Sequence, residues 1–250
     1  MDLRRRTAVG ARGHGPGHGG ARGPRYGSEA EGVPTAQGAQ IGTDQDIAEA
    51  LRATGNHDAR ILATLVADPE GTGGLLLDRW VADLDNYIVT DAFGEFAGRT
   101  RHAEAKMEEW RDSVGEWSTR AGWRILAGLA MRDLSRPDAF WEERLRIIEA
   151  EIHTRKNRVR NAMNGALIAI GIRNANLAKT AIAAAGRIGK VDVNHGETGC
   201  ETPDAAAYIR RTLAHRARKG LSRTGAGAAR STSRDAGTHA RRSRPSSRTS

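Results

Sequence analysis

The sequence predicts an all-α protein, a solenoid of stacked helical pairs around a concave groove, flanked by two disordered basic tails. Three observations predict it. Between residues 44 and 213 apolar residues recur on a helical period, and strand alternation is nearly absent. The pattern Arg-Ile-Leu-Ala-x-Leu occurs twice, in "HDARILATLVADP" (57–69) and in "AGWRILAGLAMRD" (121–133). Successive helices of one kind are spaced by roughly 30 to 40 residues, the range of helical-pair repeats.

A unit of that kind buries one side of each helix, and its neighbours cover the rest. The matching hexapeptides favour a HEAT-like array over an arbitrary bundle. Helices are expected near 44–54, 57–67, 74–83, 85–97, 102–113, 116–132, 138–152, 157–172, 175–188 and 203–218. The helices at 57–67 and 116–132 carry the hexapeptides. Trp80, Trp110, Trp117 and Trp141 read as helix-packing residues of 74–83, 102–113, 116–132 and 138–152. The helix at 85–97 has a core stripe of Val89, Ala92, Phe93 and Phe96. Its other face holds Tyr87, Asp91, Gly94 and Gly98, and looks cleared for something large to approach the backbone. The helix at 203–218 opens with Thr202 as candidate N-cap and Pro203 in its first turn.

Charge divides the chain into the same three parts. Residues 1–43 are Gly-rich and carry six arginines against three acids. Residues 214–250 carry ten lysines and arginines against one acid. The segment 44–213 holds 23 bases and 26 acids, so the basic balance sits in the tails. Neither tail has the apolar content to bury a core, and both are expected to be disordered. A polycationic chain suggests an anionic partner such as nucleic acid or a membrane surface. No apolar run approaches the ~20 residues of a membrane helix, and none follows Arg4, Arg5 and Arg6 to make a secretory signal. Cys200 is the one cysteine, so no intrachain disulfide forms and a reducing, cytoplasmic compartment is expected.

If the inner helices line a groove, their unusual faces share it. Arg120 and Arg124 lie one turn apart on 116–132, with Trp123 beside them. Asn157, Asn161, Asn164 and Gly165 form a small polar patch on 157–172. Arg155, Lys156, Arg158 and Arg160 crowd its start, where cations oppose the helix dipole, which points to phosphates. The residues alone leave two readings open: Asp91 as a functional carboxylate, or as the structural ion-pair partner of Arg120 or Arg124. The Arg155–Arg160 cluster is equally open to pairing with Glu149 and Glu151. "DVNHGETGC" brings His195, Cys200 and Asp192 together, which is short of a zinc ligand set and reads as an ordered loop. No GxxxxGK[ST], GxSxG or HExxH occurs.

The runs "ATGNHDARILATLVADP", "LDRWVADLDNYIVTD", "WSTRAGWRILAGLAMRD", "RVRNAMNGALIAIGIRN" and "GKVDVNHGETGCETPDAAAYI" resemble the DNA alkylation repair family, HEAT-like repeat proteins of the AlkD type. The resemblance covers about residues 44–213. It implies a DNA glycosylase that excises N3- or N7-alkylated purines from duplex DNA without a cofactor or metal, acting as a monomer with no membrane partner. It places Asp91 beside the deoxyribose, where a carboxylate stabilises oxocarbenium character, and Arg120 on the DNA backbone as its catalytic companion. Tyr87, Arg124, Lys156, Arg158, Arg160 and Asn161 are the implied DNA-binding residues. The family's groove aromatic four residues before the aspartate is Tyr87 here, and its second tryptophan falls at or near Gly165. The family's first helical pair, ahead of "NHDAR", is replaced by the Gly/Arg tail. A non-catalytic DNA-binding protein and a protein-binding HEAT scaffold are the alternatives.

Overall fold

The structure is a computed structural model, and it describes residues 42–220. Within them lie ten helices and no strand. They are α1 (Gln45–Ala53), α2 (His57–Val66), α3 (Gly74–Ala82), α4 (Tyr87–Ala97), α5 (Ala103–Arg111), α6 (Glu116–Arg132), α7 (Asp138–Glu151), α8 (Asn157–Gly171), α9 (Ala175–Ile188) and α10 (Ala205–Arg218). Each expected helix is present, within two residues at either end. Side-chain caps fix several starts: Asp44 accepts from the Ile47 amide, Asn56 from those of Asp58 and Ala59, Asn86 from Ile88 and Val89, and Asn174 from Leu177. The cap of α10 is Asp204, which accepts from the Ala207 amide, and not the expected Thr202, whose hydroxyl meets His195.

Consecutive helices pair, and the pairs stack. The even-numbered helices form an inner row in which α2 packs on α4, α4 on α6, α6 on α8 and α8 on α10. The two hexapeptide helices, α2 and α6, both lie in that row. The core runs between the rows and includes the expected Val89, Phe93 and Phe96, together with Trp80, Trp110 and Trp141. Trp123, expected beside the groove arginines, is instead wholly buried in this core.

Arginines tie the inner row at its C-terminal edge. Arg99 donates to the carbonyl of Thr64, Arg132 to that of Gly98, Arg173 to those of Ala130 and Asp133, and Arg216 to that of Ile172. In every case a cation near the end of one inner helix satisfies carbonyls at or just past the end of the preceding one. The helices are therefore parallel along the row. A second series of ion pairs links the outer helices: Arg79 to Glu49, Lys106 to Asp78, Arg144 to Glu108 and Arg187 to Glu149. Because Arg216 belongs to the first series, the folded unit reaches Arg218 and passes the expected boundary at 213. The rest of both tails lies outside the described residues.

Glycines on the inner row serve this packing. A Cβ at Gly94 would stand 2.7 Å from Cβ of Arg124, and one at Gly98 would stand 2.7 Å from Nη2 of Arg132. The face expected to be cleared for a ligand is thus occupied by α6. Gly122 is tighter still: its Cβ would lie 2.5 Å from the backbone nitrogen of Arg111, on α5. Around Gly165, in contrast, nothing lies within 4 Å of such an atom. Gly122→Ala should therefore cost about 1–3 kcal/mol through forced backbone movement. Gly165→Ala should add about 0.5–1 kcal/mol by relieving a mid-helix glycine. Urea midpoints of the two variants check the opposite signs.

Candidate nucleic-acid interface

The parallel inner row brings the N-terminal halves of α4, α6 and α8 side by side. A cleft of about 250 Å³ opens there, between these helices and the segment that joins α9 to α10. Tyr87 and Asp91 enter it from α4, Arg120 and Arg124 from α6, and Arg158, Asn161 and Gly165 from α8. These seven positions, expected to share a groove, line one cleft.

Arg120 is the centre of the arrangement. Its guanidinium grips Asp91 with two hydrogen bonds, Nε to Oδ1 at 2.7 Å and Nη2 to Oδ2 at 2.8 Å. Its Nη1 donates to the Arg158 carbonyl at 2.7 Å and to Oδ1 of Asn161 at 3.1 Å. One side chain, only 3% exposed, therefore joins three inner helices. It is committed to protein, so it does not offer the free bidentate face that a backbone phosphate needs. Its geometry makes it the residue that positions Asp91. The Asp91 side chain remains 31% exposed toward the cleft, and Arg124 Nε lies 3.5 Å from its Oδ1.

The basic run at the start of α8 separates into distinct roles. Arg155 pairs with Glu151, whereas Glu149 pairs with Arg187. Lys156 Nζ donates to the Val114 carbonyl at 2.9 Å and lies away from the cleft lining. Arg160 is also absent from that lining. Arg158 is the member that faces the cleft. Its guanidinium carbon sits 4.5 Å from the Tyr87 ring centroid, a cation–π contact. Its backbone amide donates to Glu116 Oε1 at 2.6 Å, which anchors the residue to α6.

The segment 189–204 forms the opposite wall, held by the asparagines of α8. Asn157 and Asn194 exchange two hydrogen bonds of 2.7 Å, and Asn164 Nδ2 donates to the Pro203 carbonyl at 3.0 Å. His195, Thr198, Glu201 and Pro203 then line the cleft. Burial, aided by Arg158 and Arg120, pushes the His195 imidazole below its usual range, and its Nε2 lies 2.9 Å from Thr202 Oγ1. Tyr208 of α10 completes the lining. The sequence reading missed Tyr208: its ring sits beyond a non-helical segment whose path no periodicity records. No group of three or more His, Cys, Asp or Glu side chains able to hold a metal occurs among the described residues. No helix among them is long and apolar enough to cross a membrane.

The family described as "DNA alkylation repair enzyme" matches residues 32–209. The chain belongs to this family. An uncharacterized protein of Listeria innocua is 28% identical over 168 residues, spanning 66% of this chain and 73% of that one. Its counterpart in Listeria monocytogenes is 29% identical over the same shares. A solved structure, described as a new family of proteins related to the HEAT-like repeat DNA glycosylases with affinity for branched DNA structures, superposes with a TM-score of 0.68. It is 26% identical and covers 74% of this chain and 80% of its own. The stacked pairs are therefore the HEAT-like architecture of a DNA alkylation repair protein. Two groove positions shape the cleft in this chain: Tyr87, with the Arg158 guanidinium over its face, and Gly165, with no side chain.

The ties made by Arg120 have a measurable consequence. Arg120→Met breaks four hydrogen bonds among three helices and should lower unfolding free energy by about 3 kcal/mol, at the low end for buried pairs because Asp91 reaches solvent. Asp91→Asn keeps an acceptor and should cost about 1–2 kcal/mol. Losses below about 0.5 kcal/mol for both in urea unfolding would contradict the tie.

Proposed function

We propose that this protein binds DNA on its concave face, with a backbone phosphate received by Arg158 and Arg124. The observation that carries this reading is the Arg158 guanidinium. It faces the cleft over Tyr87, and among the described residues its donors have no hydrogen-bond or carboxylate partner. The N-terminal halves of three parallel helices surround it, and their dipoles add to the positive potential. Three guanidinium groups line the cleft against two carboxylates, Asp91 and Glu201. That balance favours phosphate. The branched-DNA affinity attributed to the structural relative supplies the first substrate to test.

Excision of alkylated purines is the second reading, and Asp91 favours it. Its carboxylate is fixed by Arg120 and still reaches the cleft. An alkylated purine is already a cationic leaving group and needs no general acid. A fixed carboxylate near the sugar stabilises the oxocarbenium character that develops as the bond breaks. The aromatic wall that would hold such a base is absent at Gly165.

Binding of the full chain to branched and linear duplexes, measured across a salt series, tests the first reading. Arg158→Ala should weaken binding and reduce the log–log salt slope by about 0.9, the value for one phosphate. An unchanged slope and affinity would remove Arg158 from the interface. Release of 7-methylguanine from alkylated duplex tests the second. If the chain excises, Asp91→Asn should lose at least ~100-fold in rate, or ~3 kcal/mol, and still bind DNA. Binding without release leaves the DNA-binding reading alone.

A further inference from the structure

The cleft has a part that phosphate binding does not use. Its floor is one face of α8, made by Ala162, Gly165 and Ile168, and its far wall is Tyr208 with Pro203. Gly165 lies in the middle of that floor with nothing within 4 Å of where its side chain would start. The space is flanked by an aromatic residue on each side, Tyr87 from α4 and Tyr208 from α10. Flat, apolar and half-enclosed space of this kind suits a planar ring.

The polar groups along this floor are oriented. Arg120 takes Oδ1 of Asn161, which fixes the amide and leaves Nδ2 as a donor with no protein partner among the described residues. The buried Asn164 spends its Nδ2 on the Pro203 carbonyl, which leaves Oδ1 as an acceptor with no such partner. The two stand three residues apart on one face of α8, so they offer a donor and an acceptor side by side. Arg124 and Arg158 line the same cleft. A ring with a hydrogen-bonding edge and an attached phosphate matches this set; a nucleotide has both.

We propose that the cleft receives one unpaired nucleobase, taken out of the DNA stack at a bulge or branch point, on the Gly165 floor beside Tyr208. This rests on the DNA-binding reading above and names the feature of the DNA that the site selects. Branched and bulged structures hold bases that are already unpaired, so the cost of unstacking is largely met before binding. Aromatic stacking then tolerates any base, while the Asn161 and Asn164 amides grade among them.

The test uses the full chain and three DNAs: a paired duplex, the same duplex with a one-nucleotide bulge, and a bulge whose nucleotide is abasic. The bulged base should bind at least about fivefold more tightly than the abasic bulge, the lower end of what stacking one base contributes. Gly165→Leu fills the floor with a good helix former, so the fold is kept, which circular dichroism and thermal unfolding verify. It should erase the preference for the bulged base over the abasic bulge. Equal affinity for the two bulges by the wild-type chain overturns the pocket and leaves DNA binding intact. A preference that survives Gly165→Leu also overturns it. Failure to bind any of the three DNAs removes the pocket and the DNA-binding reading together.

Discussion

Parallel stacking of helices places like ends together, and the molecule has to resolve that at both edges of its inner row. At the C-terminal edge carbonyls accumulate partial negative charge without intrahelical partners. Arg99, Arg132, Arg173 and Arg216 answer this one after another, each reaching back to the end of the preceding helix. A charged donor to a partly buried carbonyl contributes about 1–3 kcal/mol, enough for each to set the register of its pair. The opposite edge inherits the reverse problem. There the helix starts gather positive charge, which Asp91 from α4, Glu116 at the start of α6 and Glu201 offset only in part. An anion-receptive groove follows from the same stacking that holds the fold.

Arg120 connects that edge to the site. Coulombic attraction to Asp91, and donation to α8, hold three helices at one spacing. The same bonds orient the Asp91 carboxylate and the Asn161 amide, and they place the Arg158 backbone so that its side chain lies over Tyr87. Removing this guanidinium would therefore disturb stability and every cleft group at once. Arg124 and Arg158 are better placed to separate binding from folding, since neither makes a comparable set of hydrogen bonds.

Much of the fold was legible because helical periodicity and repeated hexapeptides are local signals. Val89, Phe93 and Phe96 point inward as their spacing requires, and α2 and α6 share a row as their common pattern suggests. The site was legible in part. Tyr87, Asp91, Arg120, Arg124, Arg158 and Asn161 converge, whereas Lys156 and Arg160 turn elsewhere. A run of cations on one turn radiates in several directions, and sequence does not show which member a neighbour will claim. The glycines carried the same ambiguity. Gly94 and Gly98 admit a neighbouring helix, and Gly165 opens space, yet all three read alike until the partner helices are in place. Tyr208 was hidden for another reason. Its approach depends on the segment 189–204, whose course is set by Asn157 and Asn164 and not by any repeating pattern.

The claim that the N-terminal edge of the inner row is the DNA-binding surface is tested most directly by amide hydrogen exchange of the full chain with and without branched DNA. Protection should rise in the first turns of α4, α6 and α8 and in residues 194–203, with α3, α5 and α7 unchanged. Protection confined to the outer helices, or no change along the inner row on a DNA that binds, would contradict it.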